Sequence, residues 1–278
     1  MAAAIQIGAI PAVGDQEFAF FRDLLRARAG IALKDSKRSL VAARLVRRLR
    51  ALGFDSFAQY RRFLQTADAT GSETKLLINC MTTNKTSFFR EEAHFTILKD
   101  RMLSAERAGQ RVYRVWSAAC STGEEPYSIA ITALSAARAI EVKVLASDLD
   151  TEVLARAEEA RYPLEAIAEL DEPLKHSYFL RGRGSCEGSV LVKPAVRKMV
   201  SFRNINLVAD AWPVQTRFDA IFCRNVIIYF DRETQARLFR RIVQYLAPGG
   251  LLFVGHAETL YWLDDLLVPV DHAVYRLS

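Results

Sequence analysis

From residue 18 to about residue 64, apolar positions recur at intervals of three and four, opening with Phe18, Phe21, Leu24 and Leu25, and strand-like alternation is lacking. The pattern predicts a small helical bundle. Its most distinctive segment is 37–50. At about 100° per residue, Leu40, Val41, Leu45, Val46 and Leu49 fall on one side, and Lys37, Arg44, Arg47, Arg48 and Arg50 fall on the other. One face packs and the other stays positive. Gly71 and Ser72, within 67–74, then predict a hinge before the next apolar run.

Beyond residue 110 the pattern changes to strand alternating with helix, the signature of a parallel sheet with covering helices. A strand over 112–116 is followed by a small-residue turn over 117–123. A helix then starts at about Glu124, with Thr122 and Glu125 at capping-box spacing and Pro126 in the first turn. A second strand covers 142–146 and ends in Ser147-Asp148, before a helix over 151–161. Later come a strand over 218–223, a helix over 232–246, a turn at Pro248-Gly249-Gly250 and a strand over 251–254. The stretch 178–202 breaks the alternation, because Gly182, Gly184 and Gly188 separate short β-prone runs. It predicts a small antiparallel insertion with an unpaired edge of the kind that docks peptides.

Composition narrows the class. With 278 residues, 51% of them hydrophobic and 25% charged, the chain can bury a sizeable core in two domains, which excludes a disordered tail or a disulfide-stapled miniprotein. No apolar run approaches the roughly 20 residues of a spanning helix, and residues 1–14 lack the basic start of a secretory signal, so a soluble cytoplasmic protein is expected. Cys80, Cys120, Cys186 and Cys223 are too scattered to form a metal or disulfide pattern. Residues 1–80 carry thirteen basic and seven acidic side chains, while the remainder is balanced, so the whole net charge of +6 lies in the first third. Such a field suits an acidic partner: nucleic acid, an anionic membrane or an acidic protein surface.

In an open α/β sheet the ligand lies beyond the carboxyl ends of the strands, which points to 117–125, Asp148 and 224–229. The first loop has no GxGxxG, yet its small side chains let a ligand approach the backbone. An acid in the place of Asp148 either grips ribose hydroxyls, which implies a nucleoside ligand, or caps the next helix. His94, His176, His256 and His272 are scattered without an evident partner, so structural or surface roles are expected and no metal site is.

Read together, the segments 82–91 (TTNKTSFFRE), 115–128 (VWSAACSTGEEPYS), 147–150 (SDLD), 222–231 (FCRNVIIYFD) and 248–250 (PGG) resemble the CheR family of chemotaxis protein-glutamate O-methyltransferases, from about residue 15 onward. The resemblance implies an all-α domain over 15–80, a linker over 81–110 that contacts the cofactor, and a methyltransferase domain over 111–278. That domain is a class I, Rossmann-like sheet with the antiparallel β insertion. The resemblance also implies S-adenosyl-L-methionine as methyl donor, S-adenosyl-L-homocysteine as product and no metal. The implied acceptors are glutamates in the acidic helical region of methyl-accepting chemotaxis receptors, with a C-terminal receptor peptide tethered at the β insertion. The protein is expected to act as a cytoplasmic monomer without nucleic acid and without membrane insertion. By position in the motifs, Asn84, Thr86 and Arg90 close over the cofactor and Glu124 sits near its amino-acid end. Asp148 holds the ribose, Asn206 and Leu207 flank the adenine, and Arg224 and Asn225 border the methionine portion. Cys120, where a small residue is expected, and Lys85, between Asn84 and Thr86, are minor departures.

The chemistry of the residues fits. A glutamate with an ordinary pKa of about 4.3 is already ionised at neutral pH and needs no general base, only in-line placement and exclusion of water. Arg90, with a two-point hydrogen bond, and Tyr229, with its hydroxyl, are the catalytic candidates; otherwise they are a surface ion pair with Glu91 or Glu92 and a core aromatic. Arg44, Arg47 and Arg48 are the candidate receptor-binding residues. Two other readings are a nucleic-acid methyltransferase and a non-catalytic cofactor-binding adaptor. The first is disfavoured because 224–227 reads Arg-Asn-Val-Ile, not the Asn/Asp-Pro-Pro-aromatic of base methylation, and the second because Arg90, Asp148 and Tyr229 are all present.

Overall fold

The computed structural model describes residues 11–278, so the reading of residues 1–14 as lacking a secretory signal falls largely outside the described residues. The chain forms two compact units that divide between Thr83 and Asn84.

The first unit is helical: α1 (Asp15–Ala29), α2 (Arg38–Leu52), α3 (Phe57–Thr66) and α4 (Ser72–Met81). Phe18, Phe21, Leu25, Val41, Leu45, Leu49, Phe57, Tyr60 and Leu77 are buried along the predicted stripes. The opposite face of α2 differs from the expectation of a free positive surface. Arg44 donates to the carbonyls of Met81 and Thr82 at 2.6 and 3.0 Å and to Thr83 Oγ1 at 2.9 Å, satisfying carbonyls that the end of α4 leaves open. Arg47 Nε reaches Cys80 Sγ at 3.1 Å while the residue stays exposed. Arg48 forms a two-point pair with Glu73 at 2.9 and 2.7 Å, and the buried Tyr60 hydroxyl donates to the same carboxylate at 2.7 Å. Helical periodicity separates apolar from charged residues, but it cannot tell a charged face in water from one that meets a buried acid on a neighbouring helix.

The predicted hinge is also a fixed corner. Asp68 accepts from the backbone N–H of Glu73 and Thr74 and from the Thr74 hydroxyl, so its side chain caps α4 across the turn at Gly71. Burial alone would raise the Asp68 pKa, but these donors outweigh it and hold the carboxyl below its usual range.

The second unit opens with α5 (Ala93–Arg107). There follow β1 (Val112–Ala118), α6 (Glu124–Ala136), β2 (Glu141–Asp148), α7 (Thr151–Glu159), β3 (Arg161–Pro163), α8 (Glu172–Tyr178), β4 (Phe179–Arg181), β5 (Ser189–Val192), α9 (Pro194–Arg197) and β6 (Val200–Asn204). The chain ends with β7 (Phe218–Cys223), α10 (Arg232–Ile242), β8 (Leu246–Phe253), β9 (Leu267–Asp271) and β10 (Val274–Leu277). The main sheet has the order β6-β2-β1-β7-β8-β10-β9, parallel from β6 to β8 and antiparallel through β10 and β9. This is the class I methyltransferase sheet. Alternate residues of its strands feed two cores: Val115, Ala220, Phe222 and Phe253 on one face, Trp116, Ile221, Leu252 and Val254 on the other. Among the described residues, no helix is long and apolar enough to cross a membrane.

Several boundaries differ from the sequence reading: the helix predicted over 232–246 ends at Ile242, and Leu246 already opens β8. The small antiparallel sheet has the order β3-β5-β4 and begins at Arg161, whereas Val200–Asn204 joins the main sheet beside β2. A three-residue strand is too short to display a period of two. Pro248-Gly249-Gly250 lies inside β8, where pairing with β7 slips between Phe218 and Ala220, so the expected turn is an irregular strand entry.

Removing Arg48 strands the Glu73 carboxylate, whose side chain is 7% exposed. Arg48→Met is expected to cost about 3–5 kcal/mol in urea denaturation, most of it recovered in Arg48→Met/Glu73→Leu. Asp68→Ala is expected to cost about 1 kcal/mol at pH 7. With its native pKa lowered, Asp68 stabilises the fold above the unfolded value of about 3.9 and ceases to as pH falls through the native one. The difference between the wild type and Asp68→Ala should therefore shrink in acid, and a difference that is flat down to pH 2 would remove the capping role.

Candidate active site

The strand order reverses between β1 and β7, since the chain builds outward through β2 and β6 before returning to β7, and the crevice at these carboxyl ends is where such sheets hold ligands. The loop from β1 to α6 lines it with unusual backbone. Ala119 and Ser121 adopt φ of +66° and +50°, a region costly for residues with a side chain. Hydrogen bonds hold them there: Cys120 N–H to Ser147 O at 2.9 Å, Ser121 N–H to Asp148 Oδ2 at 2.8 Å, and the Ser121 hydroxyl to the Asn84 carbonyl at 2.9 Å. Gly123 follows at φ +95°, where a Cβ would lie 2.8 Å from that of Ala157, so only glycine lets α6 start here. Cys120 is buried and its thiol is pushed well up by burial, which makes it a packing residue.

Asp148 takes one backbone N–H on each oxygen, from Ser121 at 2.8 Å and Asp150 at 3.0 Å. Burial raises its pKa against those donors, and the residue keeps 8% exposure. Asp150, not Asp148, caps α7, through Glu152 N–H at 2.9 Å and Val153 N–H at 3.3 Å. The helix-cap reading of Asp148 is thereby removed. Each Asp148 oxygen retains a lone pair at the crevice edge. Asn84 is fixed alongside by donating to Asp150 Oδ2 at 2.9 Å. Ile205 N–H bonds the Asp148 carbonyl at 3.1 Å, which brings Asn206 and Leu207 near the same strand end. There Asn206 Oδ1 accepts from Val208 N–H, its carbonyl accepts from the Trp212 indole, and Leu207 is buried.

Below the crevice, Arg224 at the end of β7 has a side chain only 2% exposed. It donates to Glu91 Oε2 at 2.8 and 3.3 Å, to Glu125 Oε2 at 3.0 Å and to the Arg90 carbonyl. Ser117 Oγ completes the Glu125 carboxylate at 2.7 Å. Burial pushes the Glu125 pKa up despite Arg224; at Glu91 the Arg224 bonds and charge overcome burial and pull it down. The expected Thr122–Glu125 capping box is therefore absent, because the stronger partner for Glu125 is a buried guanidinium; the Thr122 hydroxyl turns to Glu124 at 2.7 Å instead. Glu124 is itself buried, with its pKa raised by desolvation. The Arg224 guanidinium, expected at the cofactor, has its donors directed at protein acceptors, whereas Asn225 is half-buried at φ +58°. Asn225 is held by Glu258, which accepts its N–H at 2.8 Å together with those of Gly255 at 2.7 Å and Ile227 at 3.0 Å. A Cβ on Gly255 would lie 2.3 Å from the Asn225 amide nitrogen.

Arg90 is half-buried and donates to Lys85 O at 3.1 Å; among the described residues it forms no ion pair with Glu91 or Glu92. Tyr229 is half-buried, outside both cores, and its hydroxyl has no protein partner among the described residues. Thr86 is half-buried on the 84–90 segment. Arg44, Arg47 and Arg48 belong to the helical unit. Sequence reasoning missed Glu91, Glu125 and Glu258, although an arginine directly after the apolar run 220–223 signals a buried charge that must find carboxylates. Three of the four histidines are not scattered: the rings of His94 and His256 lie 5.0 Å apart and those of His256 and His272 4.6 Å apart, while His176 is exposed on α8 as expected.

Residues 84–275 match the family described as CheR methyltransferase, SAM binding domain, and residues 16–82 match CheR methyltransferase, all-alpha domain. The chain is 45% identical over 274 residues to chemotaxis protein methyltransferase 2 of Pseudomonas aeruginosa, covering 95% of this chain and 96% of that one. It is 45% identical over 269 residues to the chemotaxis protein methyltransferase of Escherichia coli K12 and 48% identical over 269 residues to that of Salmonella typhimurium LT2. Each of these two covers 96% of this chain and 92% of the relative.

Arg224→Met leaves two carboxylates buried without their cation. It is expected to lose about 3–5 kcal/mol in urea denaturation, and adding Glu125→Gln should restore part of the loss by removing one stranded charge. Unchanged stability of Arg224→Met would show that these ion pairs do not hold the crevice together.

Proposed function

This chain belongs to the CheR methyltransferase family, and from that premise we propose that it esterifies glutamate side chains of methyl-accepting chemotaxis receptors. It is an S-adenosylmethionine-dependent methyltransferase. The observation that carries the reading is the backbone-lined crevice at the reversal of strand order, with Asp148 at its edge. The residues fit the cofactor: Ala119 and Ser121 keep side-chain bulk small where a ligand meets the loop, and Asp148 has free lone pairs suited to vicinal hydroxyls. Bound there, S-adenosylmethionine supplies an activated methyl group on a sulfonium.

Asp148 holds the ribose, Asn206 and Leu207 flank the adenine, and Glu124 and Asn225 face the amino-acid portion. Arg224 acts beneath them as a positioning residue. Asn84, Thr86 and Arg90 lie on one segment that covers the ligand. An ionised glutamate needs no base, so the catalytic work is placement. Arg90 offers N–H groups beyond the one given to Lys85, enough for a two-point grip on the acceptor carboxylate, and the Tyr229 hydroxyl is available to orient the reacting groups.

The solvent-exposed Lys37, Arg47 and Arg50 of the helical unit suit an acidic receptor helix, in place of the engaged Arg44 and Arg48. Among the described residues β4 pairs in the small sheet with β5 alone, and a groove of about 650 Å³ beside it is lined by Leu180, Arg181, Arg183, Lys193 and Glu187, three cations against one acid, which favours strand addition by a receptor-tail peptide carrying acidic groups. The enzyme works in the cytoplasm as a monomer.

Incubation with labelled S-adenosylmethionine and receptor-containing membranes should give label on glutamate that alkali releases; alkali-stable label would exclude the ester. Asp148→Ala removes a charged ribose contact worth about 1.5–3 kcal/mol, or roughly tenfold or more in affinity for S-adenosylhomocysteine by calorimetry. Full affinity in a folded variant would sink the ribose assignment.

A further inference from the structure

Beside Arg224, Glu91, His94 and His256 bring one potential ligand atom each to within 4.8 Å of one another. His94 is 1% exposed, and its Nε2 lies 3.4 Å from the carbonyl oxygen of His272, which can only accept. The ring proton therefore belongs on Nε2, and Nδ1 presents a lone pair. That Nδ1 is buried without a hydrogen-bond partner among the described residues, 3.7 Å from Glu91 Oε2. His256 Nε2 lies 3.9 Å from the same oxygen, and its side chain is 41% exposed. Glu91 supplies the carboxylate of the set, and its Oε2 already pairs with Arg224 at 2.8 Å.

We propose that His94 Nδ1, His256 Nε2 and Glu91 Oε2 form a site for a divalent cation of the zinc, cobalt or nickel class. Tetrahedral bonds of about 2.1 Å place ligand atoms about 3.4 Å apart, so a small movement of the half-exposed His256 closes the set. Two imidazoles with one carboxylate select these ions over magnesium and calcium, which prefer oxygen shells. A backbone carbonyl on the far nitrogen of His94 is the outer contact that orients a metal-bound imidazole. The fourth position opens on the exposed side of His256. Glu91 Oε2 also receives two N–H groups from Arg224, so the ion competes with Arg224 for that oxygen. Occupancy thus loosens the bond that fixes the segment carrying Arg90, and it slows methyl transfer. This last effect rests on the methyltransferase reading, while binding of the ion does not.

The test uses the full chain without an affinity tag, first stripped of metal. Titration with Co²⁺ should give the visible absorption of a tetrahedral nitrogen and oxygen site at one equivalent, and Zn²⁺ should displace it and raise the unfolding midpoint. His256→Ala should weaken both ions by at least about tenfold and abolish the thermal shift. His176→Ala, on the exposed α8, should change neither. With receptor as substrate, one equivalent of Zn²⁺ should inhibit the wild type reversibly by chelation and spare His256→Ala. Absence of stoichiometric binding, sulfur-to-cobalt absorption, or wild-type affinity in His256→Ala would overturn the site. Binding without inhibition would keep the site and overturn its effect on turnover.

Discussion

An arginine cannot be buried alone, and the placement of Arg224 organises this end of the molecule around that constraint. Desolvating a guanidinium costs several kcal/mol unless carboxylates and carbonyls surround it. Glu125 comes from the first turn of α6, and Glu91 and the Arg90 carbonyl come from the segment before α5. Three regions distant in sequence thus meet at the end of β7. Glu91 extends the connection by accepting the His256 N–H, and Glu258 closes it by drawing Gly255, Asn225 and Ile227 onto one carboxylate. The loops after β1, β7 and β8 are consequently positioned by buried charge, while the strands beneath are positioned by apolar packing.

The same bonds explain where strained backbone accumulates. Phe89, Glu91, Ala119, Ser121 and Asn225 all have positive φ without being glycine, and all flank this crevice. A donor or acceptor fixes each neighbourhood: Ser128 Oγ for Phe89, Asp148 for Ser121 and Glu258 for Asn225. Side chains kept small or turned aside leave the loop backbone open to a ligand, which a relaxed loop of these residues would not do.

Much of this was legible in the sequence. Period-two and period-3.6 patterns locate the parallel strands and their helices, and the end of a strand marks Asp148 as a residue to examine. Patterns failed where a side chain had a choice of partner. Thr122 and Glu125 have the spacing of a capping box, yet a buried guanidinium outcompetes a backbone N–H for Glu125. Arg44 and Arg48 lie on the polar side of α2, yet Glu73 and the end of α4 claim them. Histidines 178 positions apart, His94 and His272, come together only through the β8–β10 pairing. Local sequence encodes where a residue faces; which partner it finds there is encoded by the topology.

The distribution of charge also suits the chemistry better than a set of proton-transfer groups would. Methyl transfer from a sulfonium to a carboxylate brings a cation and an anion together and cancels both charges, so the transition state is less charged than the separated reactants. Water stabilises the reactants more than that transition state, and a site that excludes water lowers the barrier. Burial raises the pKa of Asp148, Glu124, Glu125 and Glu258, so the carboxyl groups at and beneath these strand ends are themselves poorly hydrated. Acidic walls favour the cationic donor but repel the anionic acceptor. The acceptor therefore needs a positive group at the mouth; in the proposed reaction that group is Arg90, which, unlike Arg224, is not held in a buried ion pair. In the proposed reaction Arg224 neutralises the interior and Arg90 is the group proposed to receive the substrate, a division that matches the deep burial of the one and the partial burial of the other.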